Sequence, residues 1–236
     1  MRAMILAAGR GERLRPLTDH TPKPLLPVAG KPLIEYHIER LAEAGGRDIV
    51  INLNHLADQI PAALGNGERW GVRLHYSWEN QLPENLETAG GIRHALDLLS
   101  DPFLLVNGDI FTDYPLGDLL NTHLPPDTDF HLVLVPNPAH HPQGDFALES
   151  GKLIPRQDKE VTPTQCGTYA GIGLYRKALF AGLPPGRNAL GSLLKDWISG
   201  GRGTGMLYPG RWIDVGTTER MALAETCASR YLIQNQ

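Results

Sequence analysis

Cysteine is scarce in this chain of 236 residues, which has only Cys166 and Cys227 and no C-x-x-C spacing. So few thiols argue against a disulfide framework and a zinc site, and they favour a reducing compartment, so we expect a cytoplasmic protein. No apolar stretch approaches the roughly 20 residues that span a bilayer. The first residues lead directly into a strand-like segment, so we expect neither a membrane anchor nor a signal peptide.

An excess of positive charge is also missing, because the formal net charge is -4 at pH 7. No global basic field exists to attract nucleic acid or an anionic membrane, and we expect neither as a partner. The hydrophobic content of 42% and the charged content of 20% are ordinary for a globular protein. Linkers, repeats and low-complexity segments are absent from the sequence too, which predicts a single domain over residues 1–236.

Strand-like and helix-like segments alternate through the first half of the chain. Apolar runs predict strands at Ala3 to Leu6, Asp48 to Leu53 and Phe103 to Val106, and apolar residues at helical spacing predict a helix from Pro32 to Ala44. This alternation predicts βαβ units and an α/β fold, with a Rossmann-like mixed, mostly parallel sheet flanked by helices. Ligands of such sheets bind at the carboxyl ends of the strands.

The second half is less regular, and its apolar runs are shorter. They predict four strands and two helices: strands at His131 to Val135, Asp145 to Leu148, Lys152 to Ile154 and Tyr169 to Tyr175, and helices at Leu190 to Ile198 and from Thr217 onward.

A glycine-rich, basic stretch follows the first predicted strand. It comprises Leu6-Ala7-Ala8-Gly9-Arg10-Gly11-Glu12-Arg13-Leu14-Arg15-Pro16-Leu17-Thr18 and then Pro22-Lys23-Pro24. Glycines let the backbone approach an anion closely, and Arg13, Arg15 and Lys23 add positive charge, so the pattern predicts a polyphosphate site. The dinucleotide fingerprint would need a glycine where Leu14 stands, and the Gly-Lys-Ser/Thr of a P-loop is absent.

Two aspartates lie at the ends of predicted strands that are distant in sequence. Asp109 ends the segment Asn107-Gly108-Asp109, and Asp214 lies in Trp212-Ile213-Asp214-Val215-Gly216-Thr217. One or two carboxylates together with phosphate and water oxygens suit Mg²⁺, so the pair predicts a magnesium site. Taken alone, each aspartate is equally typical of a turn or of the residue before a helix.

The segment Leu86-Glu87-Thr88-Ala89-Gly90-Gly91-Ile92 places a second glycine pair at the start of a predicted helix, Thr88 to Leu99. Free N–H groups at a helix N-terminus, with no Cβ in the way, would let a base or ribose lie against the backbone. A plain helix capped by Thr88 is the alternative.

Several motifs, in order and spacing, resemble the sugar-1-phosphate nucleotidyltransferases. They are Met4-Ile5-Leu6-Ala7-Ala8-Gly9, Pro22-Lys23-Pro24-Leu25, Gly30-Lys31-Pro32-Leu33-Ile34, Leu86-Glu87-Thr88-Ala89-Gly90-Gly91, Asn107-Gly108-Asp109 and Asp214-Val215-Gly216-Thr217. Within that family, further details resemble the N-acetylmuramate α-1-phosphate uridylyltransferases of bacterial cell-wall recycling: Gly11-Glu12-Arg13, Thr112-Asp113-Tyr114, Asn137-Pro138 with His140-His141, Gly144-Asp145-Phe146 and the compact length.

The resemblance implies a nucleotide-diphospho-sugar transferase type of fold, with a nucleotide-binding half over about residues 1–125 and a sugar-binding half over about 126–236. It implies UTP and a sugar-1-phosphate as ligands, Mg²⁺ as cofactor, and Lys23 and Arg13 as catalytic residues. The implied contacts are Leu6, Ala7, Ala8, Gly9, Gly11, Glu12, Arg13, Lys23, Glu87, Thr88, Gly91 and Asn107 for the nucleotide, Asn107, Asn137, Asp145 and Gly171 for the sugar, and Asp109 and Asp214 for the metal.

Alternatives stay open at this point. In one alternative the sugar of the sugar-1-phosphate is glucose, N-acetylglucosamine, mannose or heptose, and the nucleotide is UTP, dTTP or GTP. The base also stays open, because Gln81 does not align securely with the glutamine that reads the base in relatives. A non-catalytic regulatory subunit that binds a nucleotide sugar is another alternative, and the missing third glycine disfavours an NAD-dependent oxidoreductase. His140, His141 and Asp145 have the residue types of a metal site, but a solvated or sugar-contacting loop suits their spacing better. We expect no catalytic role for His55 or His123. The sequence leaves the oligomeric state open and is compatible with a monomer.

Overall fold

The computed structural model describes residues 1–155 and 165–234. The strands are β1 (Ala3–Leu6), β2 (Pro27–Val28), β3 (Lys31–Pro32), β4 (Asp48–Leu53), β5 (Arg73–Trp78), β6 (Phe103–Asn107), β7 (Ile110–Thr112), β8 (Phe130–Val135), β9 (Phe146–Glu149), β10 (Lys152–Ile154), β11 (Gln165–Tyr175), β12 (Gly203–Leu207) and β13 (Trp212–Asp214). The helices are α1 (Leu33–Glu43), α2 (Gln59–Leu64), α3 (Glu87–His94), α4 (Leu116–Leu120), α5 (Ala178–Ala181), α6 (Leu190–Ser199) and α7 (Thr218–Gln234). No helix in these ranges is long and apolar enough to cross a membrane.

One nine-stranded sheet runs through both halves of the chain, in the order β5-β4-β1-β6-β11-β8-β12-β10-β9. Strands β5, β4, β1 and β6 pair in parallel, as the βαβ alternation predicts. Strand β11 joins the halves by pairing antiparallel with β6 and with β8. Only β10 and β11 run against the other strands of this sheet, so the predicted mixed, mostly parallel α/β sheet is confirmed.

The core lies on both faces of this sheet because successive side chains of a strand point in opposite directions. In β1, Ala3 and Ile5 belong to one buried cluster and Met4 to the other. A smaller third cluster lies where α1 and α7 cover β7 and β13. A strand buried on both faces is continuously apolar, which explains the run Ala-Met-Ile-Leu.

The register of the parallel strands brings polar residues to one edge of the sheet. Leu6 pairs with Asn52 on one side and with Asn107 on the other, so the residues after β1, β4 and β6 emerge side by side. Strands β7 and β13 form a separate antiparallel ladder in which Ile110 pairs with Asp214. The two aspartates that were predicted to bind metal therefore become neighbours at this edge.

Candidate active site

A first cavity of about 280 Å³ opens at the carboxyl edge of β1, β4 and β6. Eight of the predicted nucleotide-binding residues line it: Leu6, Ala7, Ala8, Gly9, Lys23, Glu87, Thr88 and Asn107. Pro24, Asn52, Glu79, Asn85 and Asp109 complete the lining. The strand ends, the glycine-rich stretch and the start of α3 thus meet around one space, as expected for a ligand site of an open α/β sheet.

The two glycines of Gly9-x-Gly11 have different surroundings. Gly11 is left-handed (φ 65°), and a Cβ there would lie 2.9 Å from Thr18 Cγ2 and 3.2 Å from Lys23 Cβ. Close packing therefore explains Gly11. In the described chain nothing lies within 4 Å of the place where a Cβ on Gly9 would be. Packing therefore does not explain the glycine at position 9, whereas its place on the wall of the first cavity does.

A buried polar network supports the floor of the first cavity. Asn52 accepts the N–H of Ala7 at 2.8 Å and donates to Glu79 Oε1 at 2.7 Å. Glu79 is only 2% exposed. Burial raises the pKa of Glu79, and the hydrogen bond from Asn52 opposes that rise. The network fixes the backbone just after β1, where a ligand would contact Ala7.

The glycine pair of α3 serves packing on two sides. A Cβ on Gly91 would lie 2.5 Å from Glu79 Oε1, and one on Gly90 would lie 2.4 Å from the carbonyl oxygen of Gly186. The carbonyl of Asn188 already accepts the N–H groups of Ala89 and Gly90. Gly91 therefore lies behind the buried carboxylate rather than on the cavity, and two of the amides at the start of α3 are occupied by the chain itself.

Replacing Gly91 with alanine is expected to lower the free energy of unfolding by about 1–3 kcal/mol, because the new methyl group overpacks the Glu79 carboxylate. Urea denaturation measures the effect. Gly191 provides the matched control, since it is also helical but a Cβ there meets nothing within 4 Å of the described chain. Gly191→Ala should be neutral or stabilising by up to about 1 kcal/mol. Equal stability of both variants would contradict the packing explanation.

Glu87 holds a strained position at the entrance of the first cavity. Its φ of 54° is uncommon for a residue with a side chain. Its carboxylate accepts a hydrogen bond of 2.6 Å from Arg187 Nε, and its N–H donates to Asn85 Oδ1 at 3.0 Å. These contacts tie the start of α3 to the segment before α6, so Glu87 and Thr88 are held on the cavity wall.

A second cavity of about 410 Å³ adjoins the first, and Asn107 and Asp109 line both. The other residues that line it are Arg13, Ile110, His140, His141, Thr168, Tyr169, Ala170, Gly171, Trp212 and Asp214. The arrangement provides two compartments with one shared wall. Two ligands, one in each cavity, would therefore approach each other near Asp109.

An irregularity in β11 shapes the second cavity. Its pairing with β8 shifts between Tyr169 and Ile172, and Gly171 there is left-handed (φ 73°). A Cβ on Gly171 would lie 2.6 Å from Asn107 Cγ, so only glycine fits against that side chain. Bulges of this kind are common next to active sites because they redirect the chain.

The predicted metal ligands line the second cavity, and Asp109 lines the first as well. The backbone N–H of Val215 donates to the carbonyl of Asp109 at 2.9 Å, which fixes the two aspartates in neighbouring positions. Their side chains are 37% and 24% exposed, for Asp109 and Asp214 respectively. Two accessible carboxylates with open space beside them match the hard oxygen donors that Mg²⁺ prefers. Within the described ranges there is no group of three or more His, Cys, Asp or Glu side chains around one point.

Each of these carboxylates has a cationic neighbour. Lys23 Nζ donates to Asp109 Oδ2 at 2.5 Å, and the Lys23 side chain is only 8% exposed. Arg220 Nη2, from the first turn of α7, lies 3.2 Å from Asp214 Oδ2. Arg13 also lies here, since a Cβ on Gly216 would be 2.7 Å from its Nη2 atom. The site can thus neutralise the negative charge of phosphate groups.

The polar loop between β8 and β9, residues 136–145, is held by hydrogen bonds within the loop and from β11. His141 Nε2 lies 3.0 Å from Asp145 Oδ1, while Asp145 Oδ2 accepts the N–H of Tyr169 at 2.8 Å. His140 and His141 line the second cavity, whereas Asp145 does not. Asp145 therefore orients the loop, and the histidines are the side chains that face the open space.

Asn137 is likewise engaged inside this loop. Its Oδ1 atom accepts the Thr168 hydroxyl at 3.0 Å, and a Cβ on Gly144 would lie 2.2 Å from the same oxygen. Asn137 does not line the second cavity. Of the four predicted sugar contacts, only Asn107 and Gly171 do.

Some predicted contacts lie outside both cavities. Gly11 and Glu12 belong to the turn that carries Arg13, and Gly91 lies behind Glu79. His55, for which we expected no catalytic role, donates through Nε2 to the carbonyl of Thr18 at 2.8 Å and so supports the same turn.

Three residues that the sequence did not single out belong to the site: Asn52, Glu79 and Arg220. Asn52 was visible as the lone polar residue inside an apolar strand, and Glu79 follows β5 directly. Arg220 carries no such signal, because nothing in the sequence distinguishes it from the other charged residues of its helix.

Comparisons with known proteins find relatives that match most of the chain. A family model for the nucleotidyl transferases matches residues 2–149. An N-acetylmuramate alpha-1-phosphate uridylyltransferase of Neisseria meningitidis is 47% identical over 98% of this chain and 100% of its own length. One from Caulobacter vibrioides is 33% identical over 94% of this chain and 95% of its own length.

Solved structures agree in fold. A Bacillus anthracis protein described as a glucose-1-phosphate thymidylyltransferase superimposes with a TM-score of 0.83 at 23% identity, covering 97% of this chain and 95% of that one.

Proposed function

This chain belongs to the nucleotidyl transferase family, and from this premise we propose that it transfers a uridylyl group from UTP to N-acetylmuramic acid α-1-phosphate. The products are UDP-N-acetylmuramic acid and pyrophosphate, in peptidoglycan recycling. The observation that carries the proposal is the 47% identity to the Neisseria meningitidis uridylyltransferase, which extends over the full length of that relative.

In this proposal the nucleotide occupies the first cavity and the sugar-1-phosphate the second. The ends of the two ligands then meet at Asn107 and Asp109, which line both cavities. Backbone from Leu6 to Gly9 would lie along the base and ribose, and Arg13 and Lys23 would face the phosphates. Holding both reactants in one crevice supplies much of the rate enhancement, because it removes the entropic cost of bringing them together.

The reaction is an in-line displacement at the α-phosphorus of UTP. An oxygen of the sugar phosphate forms the new P–O bond, while the bond from the α-phosphorus to the oxygen bridging it to the β-phosphorus breaks. Pyrophosphate leaves with that electron pair. The attacking phosphate is already ionised near neutral pH, so no general base is required. Neutralisation of charge and alignment are therefore the main tasks of the protein.

The cationic side chains perform the first of these tasks. Lys23 Nζ, held 2.5 Å from Asp109, would stabilise the charge that builds up on the α-phosphate. Arg13 would face the leaving pyrophosphate. Asp109 and Asp214 would hold Mg²⁺, which would supply Lewis-acid stabilisation of the phosphate oxygens.

Pyrophosphate release over a grid of substrates tests the proposal. UTP, dTTP, GTP and ATP are each combined with the α-1-phosphates of N-acetylmuramic acid, N-acetylglucosamine, glucose and mannose, in the presence of Mg²⁺. We expect UTP with N-acetylmuramic acid α-1-phosphate to exceed every other pair by at least about tenfold in kcat/KM. The Asp109→Asn variant gives the background rate.

Two other outcomes would overturn parts of the proposal. A different preferred pair would keep the reaction and reject the substrate assignment. Absence of release for every pair, with a nucleotide sugar still bound, would reject catalysis in favour of a regulatory subunit. We place the reaction in the cytoplasm, the reducing compartment that the free thiols of Cys166 and Cys227 favour.

A further inference from the structure

Arg220 lies beside Asp214, one of the proposed metal ligands. Its side chain is 17% exposed, and its Nη2 atom is 3.2 Å from Asp214 Oδ2. Nε and Nη2 are fully buried, and neither has a hydrogen-bond partner in the described part of the chain. Buried donors without partners are rare in folded proteins, so each calls for an explanation.

The contact between Arg220 and Asp214 is one of charge rather than of directed hydrogen bonding. The distance is short enough for a strong attraction, yet the donor nitrogens do not align with the carboxylate oxygens. Burial strengthens this attraction because little water screens it. A carboxylate held in this way can exchange one cation for another without breaking a hydrogen bond.

Lys23 is the cationic neighbour of the second ligand, Asp109, and there the contact is a hydrogen bond. It donates to Asp109 Oδ2 at 2.5 Å from a nearly buried position. Arg13 completes the set, since a Cβ on Gly216 would contact the guanidinium groups of both Arg13 and Arg220, at 2.7 and 2.5 Å. Three formal positive charges therefore surround two formal negative ones. These cations offset the attraction that the two carboxylates would otherwise exert on a divalent cation.

We propose that Arg220 is a positioning residue that serves as the internal counter-cation of Asp214. It holds the carboxylate in place while no metal is bound and weakens the affinity of the free protein for a divalent cation. The negative charge of a triphosphate reverses the balance, so the cation binds tightly only together with the nucleotide. This inference rests on the proposed function for the identity of that nucleotide, but not for the behaviour of the free protein.

Mn²⁺ binding to the free protein, measured by electron paramagnetic resonance, tests the inference without any turnover. Removing one positive charge about 5 Å from a divalent ion should tighten binding by tenfold or more even at the dielectric constant of water. We therefore expect Arg220→Gln and Arg220→Met to bind Mn²⁺ at least about tenfold more tightly than the unaltered protein. Arg220→Lys, which keeps the charge, should stay within about threefold.

Two controls separate this role from a merely structural one. Arg202→Gln removes an arginine that pairs with Asp129 outside both cavities, and it should leave Mn²⁺ affinity unchanged. Adding Asp214→Asn to Arg220→Gln should weaken Mn²⁺ binding again, because a carboxylate that would hold the ion is lost.

Unchanged or weaker Mn²⁺ binding by the two neutral variants, or binding by Arg220→Gln that loss of the Asp214 carboxylate does not weaken, would overturn the inference. Micromolar Mn²⁺ binding by the unaltered free protein would overturn it as well, whether or not the variants fold. Failure of the substrate grid leaves this measurement intact, so the two proposals can fail separately.

Discussion

Replacing Lys23 with alanine is expected to reduce kcat by at least about a hundredfold with UTP and N-acetylmuramic acid α-1-phosphate. Losing one electrostatic contact that is made in the transition state typically reduces kcat by about this factor. The Lys23 side chain is nearly buried and ends on Asp109 at the junction of the two cavities, so no other cation of the described chain can take its place without moving. Steady-state kinetics at saturating substrates measure the loss.

Two further variants separate this catalytic effect from a packing effect. Lys23→Met keeps most of the stem that packs against Gly11, so it should fold like the unaltered protein and still lose about a hundredfold in kcat. Lys31→Met is the matched control, because Lys31 also pairs with a carboxylate, that of Glu39, and lies outside both cavities. A kcat within about threefold of normal for folded Lys23→Met would contradict the role given to the charge.

Replacing Asp109 with alanine should have an effect of similar size, at least about a hundredfold in kcat. Asp109 lies where the cavities join and next to Asp214 across the β7–β13 ladder. Its loss removes a proposed metal ligand and also leaves the Lys23 ammonium without its partner. The activity should rise little when Mg²⁺ is increased to tens of millimolar, because the missing oxygen donor cannot be supplied by concentration alone.

The stability of Asp109→Ala must be measured separately from its activity, because this variant leaves the nearly buried Lys23 ammonium unpaired. An unpaired buried charge is destabilising, so Asp109→Asn, which retains an oxygen acceptor, accompanies the alanine variant and is expected to lose activity with a smaller loss of stability. Asp129→Ala provides the matched control, since Asp129 pairs with Arg202 and lines neither cavity. Near-normal turnover of folded Asp109→Asn at ordinary Mg²⁺ concentrations would reject the metal site.

The sequence predicts the first half of the fold well, because its apolar runs are long and bounded by clear turn residues. Asp48–Leu53 forms a strand with the predicted bounds, and Ala3–Leu6 does so as well. The helix expected from Thr88 to Leu99 instead ends at His94 and continues as a 3-10 turn over Leu96–Leu98. Propensity alone does not place such an end, since tertiary packing decides where the last turn tightens.

The second half was predicted less completely. Strand β12 escaped detection because its sequence, Gly-Thr-Gly-Met-Leu, has two glycines and little apolar pattern. Both glycines are nevertheless required by packing, since a Cβ on Gly203 would lie 2.4 Å from the Phe130 ring and one on Gly205 would lie 3.0 Å from the carbonyl of Leu132. A strand selected for close packing does not show the alternation on which sequence analysis depends.

The site shows the same division between local and long-range information. Lys23, Asp109 and the segment from Leu6 to Gly9 carry recognisable motifs, and the structure brings them to one cavity. The contacts of Asn137 and Asp145 could not be predicted, because their hydrogen-bond donors, Thr168 and Tyr169, lie in β11, 31 and 24 residues further along the chain. The contact between Arg220 and Asp214 could not be predicted either, because it depends on how α7 packs beside Asp214.

Transfer of the α-phosphorus of UTP tests the central claim most directly. UTP labelled with ³²P at the α-position is incubated with N-acetylmuramic acid α-1-phosphate and Mg²⁺, and the products are separated. Attack of the sugar phosphate on the α-phosphorus predicts labelled UDP-N-acetylmuramic acid and unlabelled pyrophosphate in equal amounts. Label that remains in UTP, or that is released as UMP without a nucleotide sugar, would contradict the account.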